Sequence, residues 1–184
     1  MTESNFRDMI KLITNIGGEF MFRATVITCS DKGAKGLRQD TSGPYIKSFL
    51  EQLGFDVVDQ IIISDDLEII EKSLLHYADS VHVDLIITTG GTGFSPRDNT
   101  PEATLKVIKR IVPGIPEMLR AESYLVTKKA YLSRGVAGIR NRTLIINLPG
   151  SLKAVKEQLE WLDNVFDHGL KILKHLDTDC GESS

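Results

Sequence analysis

A strand-like apolar run that ends in a glycine loop constrains this chain most strongly. Leu85 to Thr89 is apolar until its two final threonines. A short continuous run of this kind is typical of a strand buried on both faces of a parallel sheet. Three glycines follow within four residues, at Gly90, Gly91 and Gly93. The sequence therefore predicts an α/β fold with a glycine loop at the carboxyl end of a buried strand.

The composition of this loop favours phosphate binding. Glycine permits positive φ and close approach of a ligand, so backbone N–H groups can point at an anion. Arg97 and Asp98 follow, and Thr100-Pro101-Glu102 has the residues of a helix start. The alternative is a tight turn between a strand and a helix. The P-loop and the Gly-x-Gly-x-x-Gly fingerprint are both missing, which argues against common ATP hydrolases and nicotinamide enzymes.

Length and charge limit the other classes of function. A chain of 184 residues is long enough for one domain with a substantial core. The net charge of −3, without a long basic run, argues against a nucleic-acid surface. No apolar stretch approaches the roughly 20 residues of a membrane helix. The two distant cysteines, Cys29 and Cys180, are typical of a reduced protein, so we expect a cytoplasmic location.

Apolar periodicity divides the chain into three parts. Residues 1–20 have the pattern of an appended amphipathic helix, which either docks on its own domain or contacts another subunit. Residues 21–176 are predicted to form the domain, and residues 177–184 a flexible polar tail.

Strands alternate with helices along the predicted domain. Arg140-Asn141-Arg142 is expected to turn a hairpin with one antiparallel edge strand, and Ile115 to Leu132 is expected to form one helix. Alternating elements imply right-handed crossovers with helices on both faces of the sheet. The predicted fold is a three-layer α/β/α domain with a mostly parallel central sheet. The main predicted strands are Phe22 to Cys29, Phe55 to Ile63, Leu85 to Thr89 and Thr143 to Leu148.

Four loops follow these strands, at residues 30–36, 64–66, 90–98 and 149–153. Because ligands of such sheets bind at the carboxyl ends of the strands, we expect the loops to share one crevice. These loops carry both cations and carboxylates. Carboxylates repel phosphates unless a divalent metal lies between them, so the two kinds of group together indicate a magnesium-bound nucleotide. The cations of the crevice would be Lys32, Lys35, Arg97 and Lys153, and the carboxylates Asp31, Asp40, Asp65 and Asp98.

Structural roles are the alternative for several of these residues. Ser30, Asp31 and Asp40 are also suited to turns and helix caps. Asp65 with Glu68 three residues later fits a capping box. The four histidines have no spacing typical of metal ligands.

The motifs resemble, in this order, those of the molybdopterin adenylyltransferase family, the MoaB/Mog-type domain also seen at the amino terminus of gephyrin. The resemblance covers about residues 22–175. It departs at Asn99, where an aliphatic residue is common, and at Lys32, where arginine is frequent. The motifs that carry it are Ser30-Asp31, Asp40 with Ser42-Gly43-Pro44, Thr88-Thr89-Gly90-Gly91-Thr92-Gly93, Arg97-Asp98, Thr100-Pro101-Glu102-Ala103 and Asn147-Leu148-Pro149-Gly150-Ser151.

The resemblance implies an enzyme that adenylylates molybdopterin with Mg²⁺ and ATP and releases pyrophosphate, ahead of molybdate insertion. It implies a trimer or hexamer, with the molybdate-insertion enzyme as a further partner. Asp65 and Asp98 would be the two catalytic, Mg²⁺-binding acids. The nucleotide would contact Thr89, Gly90, Gly91, Thr92, Gly93 and Arg97. The pterin and its phosphate would contact Ser30, Asp31, Lys32, Ser42, Pro149, Gly150, Ser151 and Lys153.

Two other functions fit the same resemblance. One is a module that binds molybdopterin without adenylylating it. The presence of both Asp65 and Asp98 argues against this module, because binding alone has little use for two metal-directed acids. The other is the related domain of molybdate-insertion enzymes, which normally carry additional domains.

Overall fold

The computed structural model describes residues 22–174. The predicted amino-terminal helix over residues 1–20, the tail over 177–184 and Cys180 lie outside the described residues. Within residues 22–174, no helix is both long and apolar enough to cross a membrane.

A six-stranded sheet forms the centre of the domain, in the order β2-β1-β3-β6-β5-β4. Strands β2, β1, β3 and β6 run parallel, and β5 is antiparallel to both β6 and β4. The predicted parallel sheet with an antiparallel edge is therefore confirmed. The strands are β1 (Phe22–Cys29), β2 (Phe55–Ile63), β3 (Leu85–Thr89), β4 (Arg110–Ile111), β5 (Ala137–Arg140) and β6 (Thr143–Leu148).

Helices cover both faces of the sheet and bury two separate apolar clusters. One cluster includes Leu50, Leu119 and Phe166, from three helices on the same face. The other includes Ile70 and Val107, from helices on the opposite face. This is the predicted three-layer arrangement. The helices are α1 (Asp31–Ala34), α2 (Ser42–Gln52), α3 (Leu67–Leu75), α4 (Thr100–Val107), α5 (Gly114–Val126) and α6 (Leu152–Leu173), with a π-helical turn at His76–Val81 and a 3-10 turn at Lys128–Leu132.

The structure differs from the sequence predictions in the stretch before β5. The single helix predicted for residues 115–132 is wrong, because α5 ends at Val126. Thr127 is extended, with φ of −151°, and its side chain caps the following 3-10 turn by accepting a hydrogen bond from the Lys129 N–H. The two-residue β4 was not predicted, because both residues are exposed and the strand is too short to show a period.

Strand register brings the carboxyl ends of the parallel strands to one edge. Thr28 of β1 pairs with Thr89 of β3, and Thr89 pairs with Leu148 of β6. The chain leaves β1 to form β2 on one side and later forms β3 on the other, so the strand order reverses at β1. Ligands of open α/β sheets bind at such a switch point. The fold therefore directs attention to the loops that follow Cys29, Ile63, Thr89 and Leu148.

Candidate active site

A cavity of about 430 Å³ opens at this edge of the sheet. It brings together residues from loops that are far apart in the sequence. Eleven of the predicted site residues line it: Ser30, Ser42, Asp65, Thr89, Gly90, Gly91, Thr92, Gly93, Asp98, Gly150 and Ser151.

The glycine loop fits closely between its neighbours. Gly90 has φ of +93°, and a Cβ at this position would lie 2.4 Å from the carbonyl oxygen of Cys29. Gly91 has φ of +63°, and its Cβ would lie 2.3 Å from Thr100 Oγ1. Both positions thus need glycine for its backbone conformation and for its missing side chain.

Two carboxylates lie against this loop. A Cβ on Gly91 would be 3.2 Å from Asp65 Oδ1, and a Cβ on Gly93 would be 2.8 Å from Asp98 Oδ2. The glycine loop and both acids are therefore on the same wall of the subunit. From the sequence, we expected the loops that carry these residues to share one crevice.

Asp65 does not cap α3, so the capping-box alternative for this residue is wrong. Asp66 is the N-cap of α3, and its side chain accepts hydrogen bonds from the N–H groups of Glu68 and Ile69. Asp65 Oδ2 instead accepts from the Asp31 N–H at 2.8 Å, and the Asn99 side chain donates to the Asp65 carbonyl at 2.9 Å. Asp65 is thus held by two neighbouring loops, with its carboxylate on the cavity wall.

Burial raises the pKa of the Asp65 carboxyl more than the hydrogen bond from the Asp31 N–H lowers it, and the nearby negative charges of Asp31 and Asp98 also raise it. The Asp65 carboxylate is therefore repelled by neighbouring negative charge. A cation at this position would relieve that repulsion. Below Asp65, burial raises the pKa of the Cys29 thiol to about 12, so this thiol is neutral and not a nucleophile.

Arg97 and Asp31 join two of the loops beside the cavity. Arg97 donates from Nε and Nη2 to the two carboxylate oxygens of Asp31, each at 2.9 Å. This contact holds the pKa of Asp31 below its usual range. Neither side chain lines the cavity. Arg97 Nη1 takes no part in this contact, so Arg97 has donors left for a second anion.

Hydroxyl groups hold the loop that follows β6, at residues 149–153. Thr89 Oγ1 donates to the Pro149 carbonyl at 2.8 Å, and Ser42 Oγ donates to the Gly150 carbonyl at 3.1 Å. A Cβ on Gly150 would be 3.3 Å from the Gly90 Cα, so the two glycine loops touch. Thr89 and Ser42 thus position the backbone at residues 149–150.

The capping roles considered for Ser30 and Asp40 are observed. Ser30 caps α1 by accepting from the Gly33 N–H at 3.0 Å. Asp40 accepts from the N–H groups of Ser42 and Gly43 at the start of α2. Ser30 and Asp40 also line the cavity, so capping and ligand contact are compatible for them.

The cations of the cavity differ from those that the sequence suggested. Lys32 and Lys153 are exposed and outside the lining, as is Lys35, whereas Arg38 lines the cavity. Arg38 lies between α1 and α2, in a polar stretch with no motif to distinguish it from the nearby lysines. Gln39 and Thr41 also line the cavity and were not predicted.

The residues present fit Mg²⁺ held together with phosphate. Within residues 22–174, no group of three or more His, Cys, Asp or Glu side chains is arranged to hold a metal. Mg²⁺ usually takes one or two carboxylates and completes its coordination with water and phosphate oxygens. The pair Asp65 and Asp98, beside a loop rich in N–H groups, matches that requirement.

Comparison with known proteins identifies the family. A family model described as "Probable molybdopterin binding domain" matches residues 25–168. A molybdopterin adenylyltransferase of Helicobacter pylori (strain ATCC 700392 / 26695) is 44% identical over 137 residues, which cover 73% of this chain and 78% of that protein. A molybdopterin adenylyltransferase of Escherichia coli (strain K12) is 38% identical over 155 residues, with 80% and 79% covered.

Solved structures give the same result. The molybdopterin biosynthesis enzyme MoaB of Thermus thermophilus superposes with a TM-score of 0.80 at 46% identity, covering 84% of this chain and 98% of that one. The resemblance inferred from the motifs is thereby confirmed. The chain belongs to the molybdopterin-binding domain family of molybdenum cofactor biosynthesis.

Proposed function

We propose that this chain is a molybdopterin adenylyltransferase, which joins the adenylyl group of ATP to molybdopterin and releases pyrophosphate. The observation that carries the proposal is the placement of Asp65 and Asp98 against the glycine loop in one cavity. The relatives named molybdopterin adenylyltransferase support the same activity.

The reaction needs no strong base in the protein. A terminal phosphate oxygen of molybdopterin attacks the α-phosphorus of ATP, and the bond from that phosphorus to the bridging oxygen of pyrophosphate breaks. The attacking phosphate monoester is already ionised near neutral pH, so no proton has to be removed. The barrier lies in bringing two anions together and in stabilising the charge on the leaving pyrophosphate.

Backbone N–H groups are suited to hold the phosphates of ATP. Among the described residues, the N–H groups of Gly91, Thr92 and Gly93 donate to no protein acceptor. The Gly90 N–H differs, because it donates to the Leu148 carbonyl at 3.2 Å. We therefore expect residues 91–93, rather than Gly90, to supply the donors. Arg38 adds positive charge to the same cavity.

Asp65 and Asp98 would hold Mg²⁺ together with the phosphates. When bound, the ion supplies positive charge that stabilises the transferring phosphoryl group and the leaving pyrophosphate. The protein's own contribution is to fix the two carboxylates. The N–H of Asp31 holds Asp65, and Asp98 Oδ2 accepts from the Ser95 N–H at 2.8 Å.

The pterin would occupy the side of the cavity formed by Ser42, Gly150 and Ser151. Arg97 could exchange Asp31 for a phosphate, because an ion pair between exposed side chains is weak. Lys32 and Lys153 are exposed near the same loops and would act on the approaching anions rather than inside the cavity.

Assembly into a trimer or hexamer in the cytoplasm is part of the proposal. Its support is an exposed apolar group formed by the end of α5 and the following 3-10 turn, in which the rings of Tyr124 and Tyr131 lie 4.7 Å apart. Leu125 is 80% exposed in the same stretch. Large adjoining apolar side chains of this kind commonly mark protein contacts.

The test is to supply the protein with molybdopterin, ATP and Mg²⁺ and to measure both pyrophosphate and the adenylylated pterin. We expect the two products in equal amounts, and neither when molybdopterin or Mg²⁺ is omitted. Tight binding of molybdopterin without either product would instead favour the binding module.

A further inference from the structure

Arg134 holds the outer side of the glycine loop. It precedes β5, and it was not among the residues predicted from the sequence. Its backbone N–H donates to the Thr92 carbonyl at 2.9 Å. Its side chain donates from Nε to the Gly93 carbonyl at 2.7 Å and from Nη2 to the Asp98 carbonyl at 2.6 Å. Nη1 is paired with Glu102 at the start of α4.

Arg134 contacts the loop from outside the cavity. It does not line the cavity, but lies in a separate shallow depression with Phe94, Ser95 and Glu102. Asp98 borders both the cavity and this depression. Arg134 therefore contacts residues of the cavity wall without lining the cavity itself.

Each of these carbonyl contacts fixes the orientation of a planar trans peptide. The C=O of one residue and the N–H of the next share a plane and point in opposite directions. The Thr92 carbonyl is held by the backbone N–H of Arg134, so this contact does not depend on the side chain. The side chain holds the Gly93 carbonyl, and so directs the Phe94 N–H away from the guanidinium. Holding the Asp98 carbonyl likewise fixes the backbone from which the Asp98 carboxylate projects.

We propose that Arg134 is a positioning residue for adenylyl transfer, whose side chain holds the Gly93 end of the glycine loop and the backbone of Asp98 and thereby sets the Asp98 carboxylate toward the phosphates of ATP. The inference rests on the proposed function. Arginine suits the task because its rigid planar fork can donate to several carbonyls at once, whereas lysine has one compact charged group.

Arg134→Lys is the test, and Arg140→Lys is the matched control. The Arg140 side chain likewise donates hydrogen bonds within the protein, to the Asp79 carboxylate and to the Val107 carbonyl. It ends β5 beside the start of β6, at the edge of the sheet away from the cavity. Both substitutions keep the charge and remove the fork, so a general loss of stability would affect both variants.

We expect Arg134→Lys to raise the KM for ATP by at least about tenfold, because the charge-assisted hydrogen bonds of the guanidinium are lost. The KM for molybdopterin should change by less than about twofold, and Arg140→Lys should leave both constants unchanged. An unaltered KM for ATP in Arg134→Lys, or an equal rise of both constants in both variants, would overturn the proposal.

A second variant and a second measurement keep the test decisive. If Arg134→Lys is too unstable to assay, Glu102→Gln should raise the KM for ATP about threefold, because a neutral amide oxygen holds the Arg134 guanidinium less firmly than a carboxylate does, and no rise would refute the inference. If the wild-type protein forms no adenylylated pterin, the proposed function fails, and amide NMR signals decide on Arg134. The signals of Phe94 and Asn99, whose peptide planes the side chain holds, should then move in Arg134→Lys and stay in place in Arg140→Lys, and unmoved signals in Arg134→Lys would overturn the inference.

Discussion

Adding one methyl group at Gly90 should disrupt the glycine loop far more than the same change at Gly36. Both glycines have positive φ, +93° and +69°. A Cβ on Gly36 would meet nothing within 4 Å, so Gly36→Ala carries only the left-handed backbone penalty, about 1 kcal/mol. A Cβ on Gly90 would lie 2.4 Å from the Cys29 carbonyl oxygen, and the loop must retreat by at least about 0.6 Å to reach 3.0 Å.

That retreat strains two hydrogen bonds of Gly90. Its N–H donates to the Leu148 carbonyl, and its carbonyl accepts from Thr100 Oγ1 at 2.9 Å. Each such bond contributes about 1 kcal/mol. Gly90→Ala should therefore lower the free energy of unfolding by about 3 kcal/mol, roughly 2 kcal/mol more than Gly36→Ala. A loop displacement approaching 1 Å should also reduce kcat/KM for ATP by about 10².

Urea unfolding of the two variants measures the first difference, and pyrophosphate release measures the second. If Gly90→Ala unfolds within about 0.5 kcal/mol of Gly36→Ala, the close contact with Cys29 does not constrain the loop. If Gly90→Ala is destabilised but keeps wild-type kinetics, the loop position does not matter for catalysis. Either result would refute the reasoning.

Two further predictions concern Asp65 and Asn147. Because burial raises the Asp65 pKa, kcat/KM for ATP should begin to fall on the acid side at a pH above the ordinary aspartate value of about 3.9. Because the pKa is higher in the folded than in the unfolded protein, the charged form of Asp65 destabilises the fold increasingly as the pH rises. The melting temperature of Asp65→Asn should therefore be higher than that of the wild type at pH 7 and equal to it below pH ~3.9. A wild-type melting advantage at pH 7 would contradict this. The buried Asn147 amide donates to Thr88 and Thr104, and its oxygen accepts from the Val136 N–H. Asn147→Leu should therefore lower the free energy of unfolding by about 3 kcal/mol in urea, and a loss below 1 kcal/mol would refute the assigned role.

The parallel strands were predictable because burial on both faces leaves a strong pattern. Leu85 to Thr89 is continuous and bounded by glycine, and β1 and β2 have the predicted bounds. The meeting of four loops at one edge follows from parallel topology alone. The two exposed residues of β4 carry no such pattern, so this strand was not predictable.

Side-chain direction in the loops was not predictable. Asp65 and Asp66 are both suited to capping α3, and only the fold decides that Asp66 caps while Asp65 faces the cavity. Arg38 and Lys32 are comparable cations in one polar segment, but the short helix α1 places Lys32 on the surface. Arg134 left no sequence signal, because its contact with Asp98 joins residues 36 positions apart.

Asp65→Asn, compared with Asp66→Asn, tests most directly whether Asp65 acts on the phosphates of ATP. Both variants lose one negative charge, and asparagine still caps a helix at position 66. The measurement is adenylylated pterin formed per protein from molybdopterin, ATP and Mg²⁺, together with the affinity for molybdopterin. We predict at least about a 10²-fold loss of turnover for Asp65→Asn, with molybdopterin affinity kept and Asp66→Asn close to wild type. Wild-type turnover in Asp65→Asn would contradict the account.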